Sequence, residues 1–271
     1  MLSTQDYEAF SHYLEQSCGI VLGANKQYLV TSRLASLLED YSLPSYAELI
    51  KLIVEGGRSD LTSKAVDAMT TNETSWFRDR FPFEILKQHI LPEMLEAGRR
   101  RITLWSAACS TGQEPYSVSM TIAEFFDAQP KCFLNPKIIA TDISPSVLNE
   151  ARKGVYEPAL LERGLSPVQR RRFFTPRQDG CAVNSDIKSR VSFQLLNLKS
   201  SYSILGKLDV IFCRNVLIYF SSELRDAIID RMIASLNPSG YLYLGASESL
   251  GRNARFFQTV RCHGGLVYRL K

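Results

Sequence analysis

Long hydrophobic runs are missing from this 271-residue chain. No stretch approaches the ~18 uninterrupted apolar residues that a membrane span needs, and MLSTQDYEAF carries acids where a basic-then-apolar leader would begin. A cytoplasmic protein with no membrane insertion is the expectation. Paired cysteines are missing too: Cys18, Cys109, Cys132, Cys181, Cys213 and Cys262 include no Cys-x-x-Cys, and His12, His89 and His263 are far apart. That spacing signals neither a disulfide framework nor a metal site, and buried reduced thiols are the plainer reading. A dominant charge is absent as well. The formal +4 has only short clusters, Arg99 to Arg101 and Arg170 to Arg172, without the basic stripe and interleaved aromatics of a nucleic-acid reader. Both clusters read as solvated faces, and no nucleic-acid partner is expected. What remains, 45% hydrophobic in composition, can bury one large core or two moderate ones.

The chain is organised around Ile102 to Ser119. Ile102, Leu104 and Trp105 suit a buried parallel strand, which passes through small residues, Ser106 to Gly112, into a helical pattern. Doubly wound α/β folds use such a turn to bring backbone N–H groups against a nucleotide-like ligand. A plain strand-to-helix connection is the competing reading. Gly112 is the turn's only glycine, so the Gly-x-Gly-x-x-Gly fingerprint is missing and a nicotinamide dehydrogenase is disfavoured. Glu114, just inside the helix, would repel phosphate but could accept hydrogen bonds from an amino group.

Around this stretch the periodicity predicts a helical bundle over residues 1–70, a linker and bridging helix over 71–98, and an α/β domain over 99–271 with an inserted subdomain at about 155–190. In the bundle, Tyr7, Phe10, Leu14 and Cys18 precede Gly19, a natural helix stop, and Ser45 with Glu48 forms a capping box. Its role is left open between packing accessory, dimerisation unit and docking surface. Pro92 is expected to kink or split the bridging helix. Lys137 to Thr141 reads as a strand ending in Asp142, where a carboxylate can accept from both hydroxyls of a ribose, with a helix cap as the alternative. Val191 to Leu196 and Leu208 to Cys213 read as further strands, which puts Asn197, Leu198, Arg214 and Asn215 at the carboxyl edge of the sheet. Asn197 could read an adenine edge and Leu198 pack on its face. Ser222 to Leu236 is a helix, NPSG (Asn237 to Gly240) its turn into the next strand, and the chain closes as a hairpin around Gly264 and Gly265.

WSAACSTGQEPYS (Trp105 to Ser117), TTNETSWFRD (Thr70 to Asp79), ATDIS (Ala140 to Ser144) and FCRNVLIYF (Phe212 to Phe220) together resemble the CheR family of chemotaxis receptor methyltransferases. The resemblance covers nearly the whole chain, more loosely before residue 66 and between 155 and 190. It implies a class I methyltransferase-like doubly wound sheet, mostly parallel with a C-terminal antiparallel hairpin, joined to the N-terminal helical domain. It implies S-adenosylmethionine as methyl donor and glutamate side chains of chemoreceptor cytoplasmic domains as acceptors; apart from the resemblance, a monomer is the expectation. Asn72, Thr74, Arg78, Ala107, Glu114, Asp142, Asn197, Leu198, Arg214 and Asn215 would then hold the cofactor, with Arg78 also beside the site of transfer. Lys26 and Arg33 match positions where a basic second helix meets an acidic receptor surface, although Ala35, Ser36 and Leu37 stand where relatives can carry more basic residues. The insert's PRQDGCAVNSD offers only Gly180 where some relatives use a Gly-x-Gly loop to bind a receptor tail peptide, so no tight binding of such a tail is expected.

The chemistry fits the missing nucleophile and base pair. A glutamate with an ordinary pKa near ~4.3 is already an anion at neutral pH and needs no general base. Aligning its oxygen, the methyl carbon and the sulfur within roughly 3 to 3.5 Å can supply up to ~7–11 kcal/mol of barrier lowering. Charge is neutralised as the methyl moves, so Arg78 is expected to position groups and Tyr219 to orient the carboxylate or face the sulfonium. A class I methyltransferase of small molecules or nucleic acid is disfavoured because RNVLIYF is not the Asn/Asp-Pro-Pro-aromatic run of base-amino methylation. A non-catalytic scaffold that binds the same ligand stays open.

Overall fold

The computed structural model describes residues 2–271, which form two compact units. Residues 2–71 and 219–225 make the helical unit, and residues 72–218 and 226–271 make the sheet unit. Residues 72–98 therefore cluster with the sheet, while 219–225 cluster with the helices.

The helical unit consists of α1 (Thr4–Cys18), α2 (Gln27–Asp40), α3 (Tyr46–Glu55) and α4 (Ser59–Met69). Local chemistry sets the ends. Ser3 and Ser45 accept the N–H groups of Asp6 and Glu48 at 3.1 and 3.3 Å, and Gly19, at φ 84°, closes α1 by donating to the carbonyls of Leu14 and Glu15. The stripe that repeats every three or four residues is buried: Phe10, Leu14, Leu34, Leu49 and Ile53 have no exposed surface. A Cβ on Gly19 would lie 2.3 Å from the Leu224 side chain, so this glycine also permits the approach of the 219–225 segment.

The sheet unit opens with α5 (Phe81–Ile85), a π-helical turn over Leu86–Ile90 and α6 (Leu91–Glu96). The widened turn ends two residues before Pro92, which has no N–H to donate back into it. Strand β1 (Arg101–Ala107) leads to α7 (Gln113–Ala128), then β2 (Asn135–Asp142) and α8 (Pro145–Lys153). The insert follows, with β3 (Val155–Tyr156), α9 (Pro158–Glu162), α10 (Pro167–Phe173), β4 (Phe174–Arg177), β5 (Gly180–Val183) and α11 (Ser185–Lys188). Its strands make a small antiparallel sheet of their own, in the order β3-β5-β4. The chain then completes β6 (Val191–Leu195), β7 (Leu208–Cys213), α12 (Ser222–Ser235), β8 (Leu236–Leu244), β9 (Phe257–Cys262) and β10 (Gly265–Leu270).

The seven-stranded sheet runs β6-β2-β1-β7-β8-β10-β9, parallel from β6 to β8 and antiparallel in the last two strands. This is the class I methyltransferase-like arrangement. Strand order reverses about β1, so the ends of β1, β2 and β7 flank the crevice where open α/β sheets take ligands. β1 and β7 are near-continuous apolar runs because both faces of the sheet are covered; Leu104, Trp105, Val210, Ile211 and Phe212 are fully buried.

One expected turn falls within the span of a strand. Asn237 to Gly240 lies inside β8, which starts at Leu236 opposite Leu208. None of the four has a ladder partner among the described residues: the register jumps from Leu208 opposite Leu236 to Val210 opposite Tyr241, with Ser239 at φ 60°, so the turn chemistry of Pro and Gly shows as an interruption within the strand.

Candidate functional site

Five residues after β1 ends, Gly112 reaches α7 through a backbone that repeatedly enters the left-handed region: Ala108 at φ 55°, Ser110 at φ 51° and Gly112 at φ 95°. Side chains rarely adopt this conformation, at a cost of order 1–3 kcal/mol each, and it persists only where surrounding bonds over-determine it. Those bonds are present. Cys109 N–H donates to the Thr141 carbonyl at 2.9 Å, Ser110 Oγ to the Asn72 carbonyl at 2.8 Å, and the Tyr156 hydroxyl to the Thr111 carbonyl at 2.6 Å. A Cβ on Gly112 would lie 3.0 Å from that of Ala151 and 3.1 Å from the Tyr156 hydroxyl, so the turn is packed as well as bonded.

Asp142, at the end of β2, is 6% exposed. Its Oδ2 accepts from the Ser110 N–H at 2.9 Å and its Oδ1 from the Ser144 N–H at 3.0 Å. The cap of α8 is Ser144, whose Oγ accepts from the Val147 N–H at 3.2 Å. Asp142 thus ties the β1 turn to the β2 turn.

Behind the turn lies a buried ion network. The Arg214 side chain is 2% exposed; its Nη1 donates to Glu114 Oε2 at 2.8 Å, and its Nη2 donates to Asp79 Oδ2 at 2.7 Å and to the Arg78 carbonyl at 2.9 Å. The other Glu114 oxygen accepts from Ser106 Oγ at 2.7 Å. One guanidinium therefore fixes β7, the start of α7 and the Arg78–Asp79 segment together, the use for which a planar fork suits better than an ammonium. The Arg214 Nε–H finds no acceptor among the described residues.

The thiols are unsuited to nucleophilic work. Burial first, then the charges of Asp142 and Glu114, pushes the Cys109 thiol well up, and burial with Glu248 and Glu114 does the same for Cys213. Among the described residues no cluster of His, Cys, Asp or Glu could hold a metal ion, and no helix is long and apolar enough to cross a membrane.

Two hydrogen-bonded sets result: Asn72 and Asp142 meet on Ser110, while Ser106 and the Arg78 carbonyl are joined through Glu114 and Arg214. Ala107 ends β1 within the same turn and is buried. Thr74 is half-buried in the segment leading to Arg78, whose Nη1 donates to the Glu73 carbonyl at 3.3 Å. Asn197 and Leu198 follow β6, joined to β2 through the Leu196 N–H and the Asp142 carbonyl; Asn197 Oδ1 accepts from the Lys199 N–H, and Leu198 is buried. Asn215 follows Arg214 at φ 59°. Tyr219, Lys26 and Arg33 belong to the helical unit. There Lys26 is exposed with its Nζ over the Tyr28 ring, whereas Arg33 donates to the carbonyls of Met69 and Thr70 and to Thr71 Oγ1, at 2.6, 2.8 and 3.0 Å. Arg33 caps α4.

Two participants carried no signal in the sequence. Asp79 was visible only as the last residue of a polar run, and Glu248 stands in an SES triplet that no spacing rule singles out. Yet Glu248 accepts from four backbone N–H groups, those of Asn215, Val216, Leu217 and Gly245.

Comparison with known proteins places residues 72–265 on the family described as "CheR methyltransferase, SAM binding domain" and residues 5–70 on "CheR methyltransferase, all-alpha domain". A chemotaxis protein methyltransferase 1 of Vibrio cholerae is 51% identical across all of this chain and 98% of its own length. The corresponding protein of Pseudomonas aeruginosa is 50% identical, over 98% of both chains. A chemotaxis protein methyltransferase of Escherichia coli is 34% identical over 99% of this chain and 92% of its own.

Proposed function

The chain belongs to the CheR methyltransferase family, and from that membership we propose that it esterifies glutamate side chains of chemoreceptor cytoplasmic domains for chemotactic adaptation. It is an S-adenosylmethionine-dependent methyltransferase of chemotaxis. The observation that carries the substrate reading is the combination of a polar carboxyl-edge rim with buried, high-pKa thiols and no activated nucleophile in it: a substrate that arrives as an anion needs none. A cytoplasmic setting is part of this reading, because the acceptor domains are cytoplasmic.

The donor set of the rim suits the cofactor. Glu114 and Asp142 supply carboxylate oxygens for an amino group and a ribose diol, and the buried, unpartnered Nε–H of Arg214 supplies a donor for a carboxylate. When bound, S-adenosylmethionine supplies an electrophilic methyl group. Ala107 and the turn to Gly112 give backbone close approach, Asn72 and Thr74 close the rim, and Asn197, Leu198 and Asn215 take the base and the remaining polar edge. Arg214 acts mainly by fixing Glu114 and the carbonyl of Arg78. Arg78 positions the reacting groups with its side chain and Tyr219 orients the incoming carboxylate. Lys26 meets the acidic receptor surface, whereas Arg33 is engaged by the end of α4.

The test is transfer of labelled methyl from S-adenosylmethionine to receptor-containing membranes. The expected product releases its label in base, as an ester does; a base-stable label, or none, contradicts the proposal. With cofactor saturating, Arg78→Ala and Tyr219→Phe should each lower turnover roughly 10- to 100-fold through misalignment. Wild-type turnover in both would remove them from the reaction. The short β4–β5 connection predicts that a receptor tail peptide titrated calorimetrically shows no low-micromolar binding.

A further inference from the structure

We propose that Glu248 is a positioning residue for the cofactor site, a carboxylate clamp that holds the turn after β7 in the shape Asn215 needs. The proposal rests on the reading that Asn215 contacts the cofactor. Where parallel strands end, their last N–H groups lose the ladder, and buried N–H groups left unpaired are costly. In the turn after β7, three successive N–H groups find the same anion: Asn215 donates to Glu248 Oε2 at 2.9 Å, and Val216 and Leu217 donate to Oε1 at 2.9 and 2.7 Å. A fourth N–H, from Gly245 at the end of β8, donates to Oε2 at 2.6 Å.

The carboxylate is itself held in place. The Glu248 N–H donates to the Gly245 carbonyl at 3.0 Å, closing a four-residue turn that aims the side chain back at β7. Gly245 is the counterpart of this device. A Cβ there would lie 2.7 Å from Glu248 Oε2 and 2.9 Å from both the N and Nδ2 atoms of Asn215, so only glycine lets the clamp and the turn meet. The result is that Asn215 stays in the left-handed region, at φ 59°, directly after Arg214, with its backbone spoken for by a single distant side chain. Hydrogen bonds to a charged acceptor are roughly twice as strong as neutral ones, so the turn is fixed before any ligand arrives.

The experiment measures S-adenosylhomocysteine affinity by calorimetry for the wild type, Glu248→Gln, Asn215→Ala and the double variant, together with KM for S-adenosylmethionine, kcat and thermal unfolding. Glutamine keeps one acceptor oxygen but turns an NH2 group on N–H donors. Glu248→Gln should therefore weaken affinity roughly tenfold or more, with KM rising by a similar factor and kcat changing less. Because Glu248 acts through Asn215, the double variant should bind no worse than the weaker single variant. Unchanged affinity with a lowered melting temperature would reduce Glu248 to a fold-stabilising role, and additive losses would show that it does not act through Asn215. Either overturns the proposal. Unchanged affinity in Asn215→Ala alone would instead fail the site reading on which it rests. Should Glu248→Gln not fold, amide exchange in the wild type decides: slow exchange at Asn215, Val216, Leu217 and Gly245 supports the clamp, and unprotected exchange there overturns it.

Discussion

Arg214→Met is expected to cripple the protein in two ways at once, lowering its melting temperature by about 10 °C and abolishing measurable S-adenosylhomocysteine binding. The first effect follows from burial. Arg214 is 2% exposed and Glu114 14%, so removing the guanidinium strands a carboxylate that water barely reaches. Breaking a buried pair in this way costs about 3–5 kcal/mol, because the surviving charge loses its partner and keeps its desolvation penalty. The second effect follows from connectivity: Asp79, Glu114 and the Arg78 carbonyl all meet on one cation. Arg214→Lys should give an intermediate loss, since an ammonium cannot span three acceptors in a plane. Thermal unfolding and calorimetry on the two variants check this, and near-wild-type affinity in Arg214→Met would contradict it.

Asp142→Ala is expected to weaken S-adenosylhomocysteine binding at least ~100-fold with little change in fold stability beyond ~1–3 kcal/mol. The carboxylate has two tasks in this account. It anchors the N–H groups of Ser110 and Ser144, which sets the left-handed turn, and in the proposed complex it would accept from the ribose. Asp142→Asn keeps one acceptor oxygen and turns a donor toward an N–H, so an intermediate loss is expected. Affinity within twofold of wild type in Asp142→Ala would exclude both tasks.

These residues differ in how far they could be read without coordinates. The strand, turn and helix around Gly112 were legible because apolar runs, small residues and helical spacing all pointed the same way, and the ends of β2, β6 and β7 followed from the order of strands. The conformation of the turn was not. With one glycine it reads as mildly constrained, whereas Ala108 and Ser110 also take positive φ, held there by Asn72, Thr141 and Asp142 from elsewhere in the chain. From its place at a strand end Arg214 reads as a ligand residue; its side chain engages Asp79 and Glu114, 135 and 100 residues earlier. Glu248 was invisible for the same reason: a carboxylate that serves backbone N–H groups of another strand's turn leaves no pattern in its own neighbourhood. Asn237 to Gly240 is a milder case: its turn residues interrupt the pairing of β8 with β7 between Leu236 and Tyr241, whereas the pattern alone placed the strand wholly after them.

The most direct test of the central claim is the crystal structure with S-adenosylhomocysteine bound. It should show the ligand across the carboxyl edge of β1, β2 and β7, with its ribose on Asp142 and its amino group on Glu114, and the ion network around Arg214 unchanged. A ligand bound elsewhere, or a rim from Ser106 to Glu114 that closes over Asp142 without admitting it, would contradict the account.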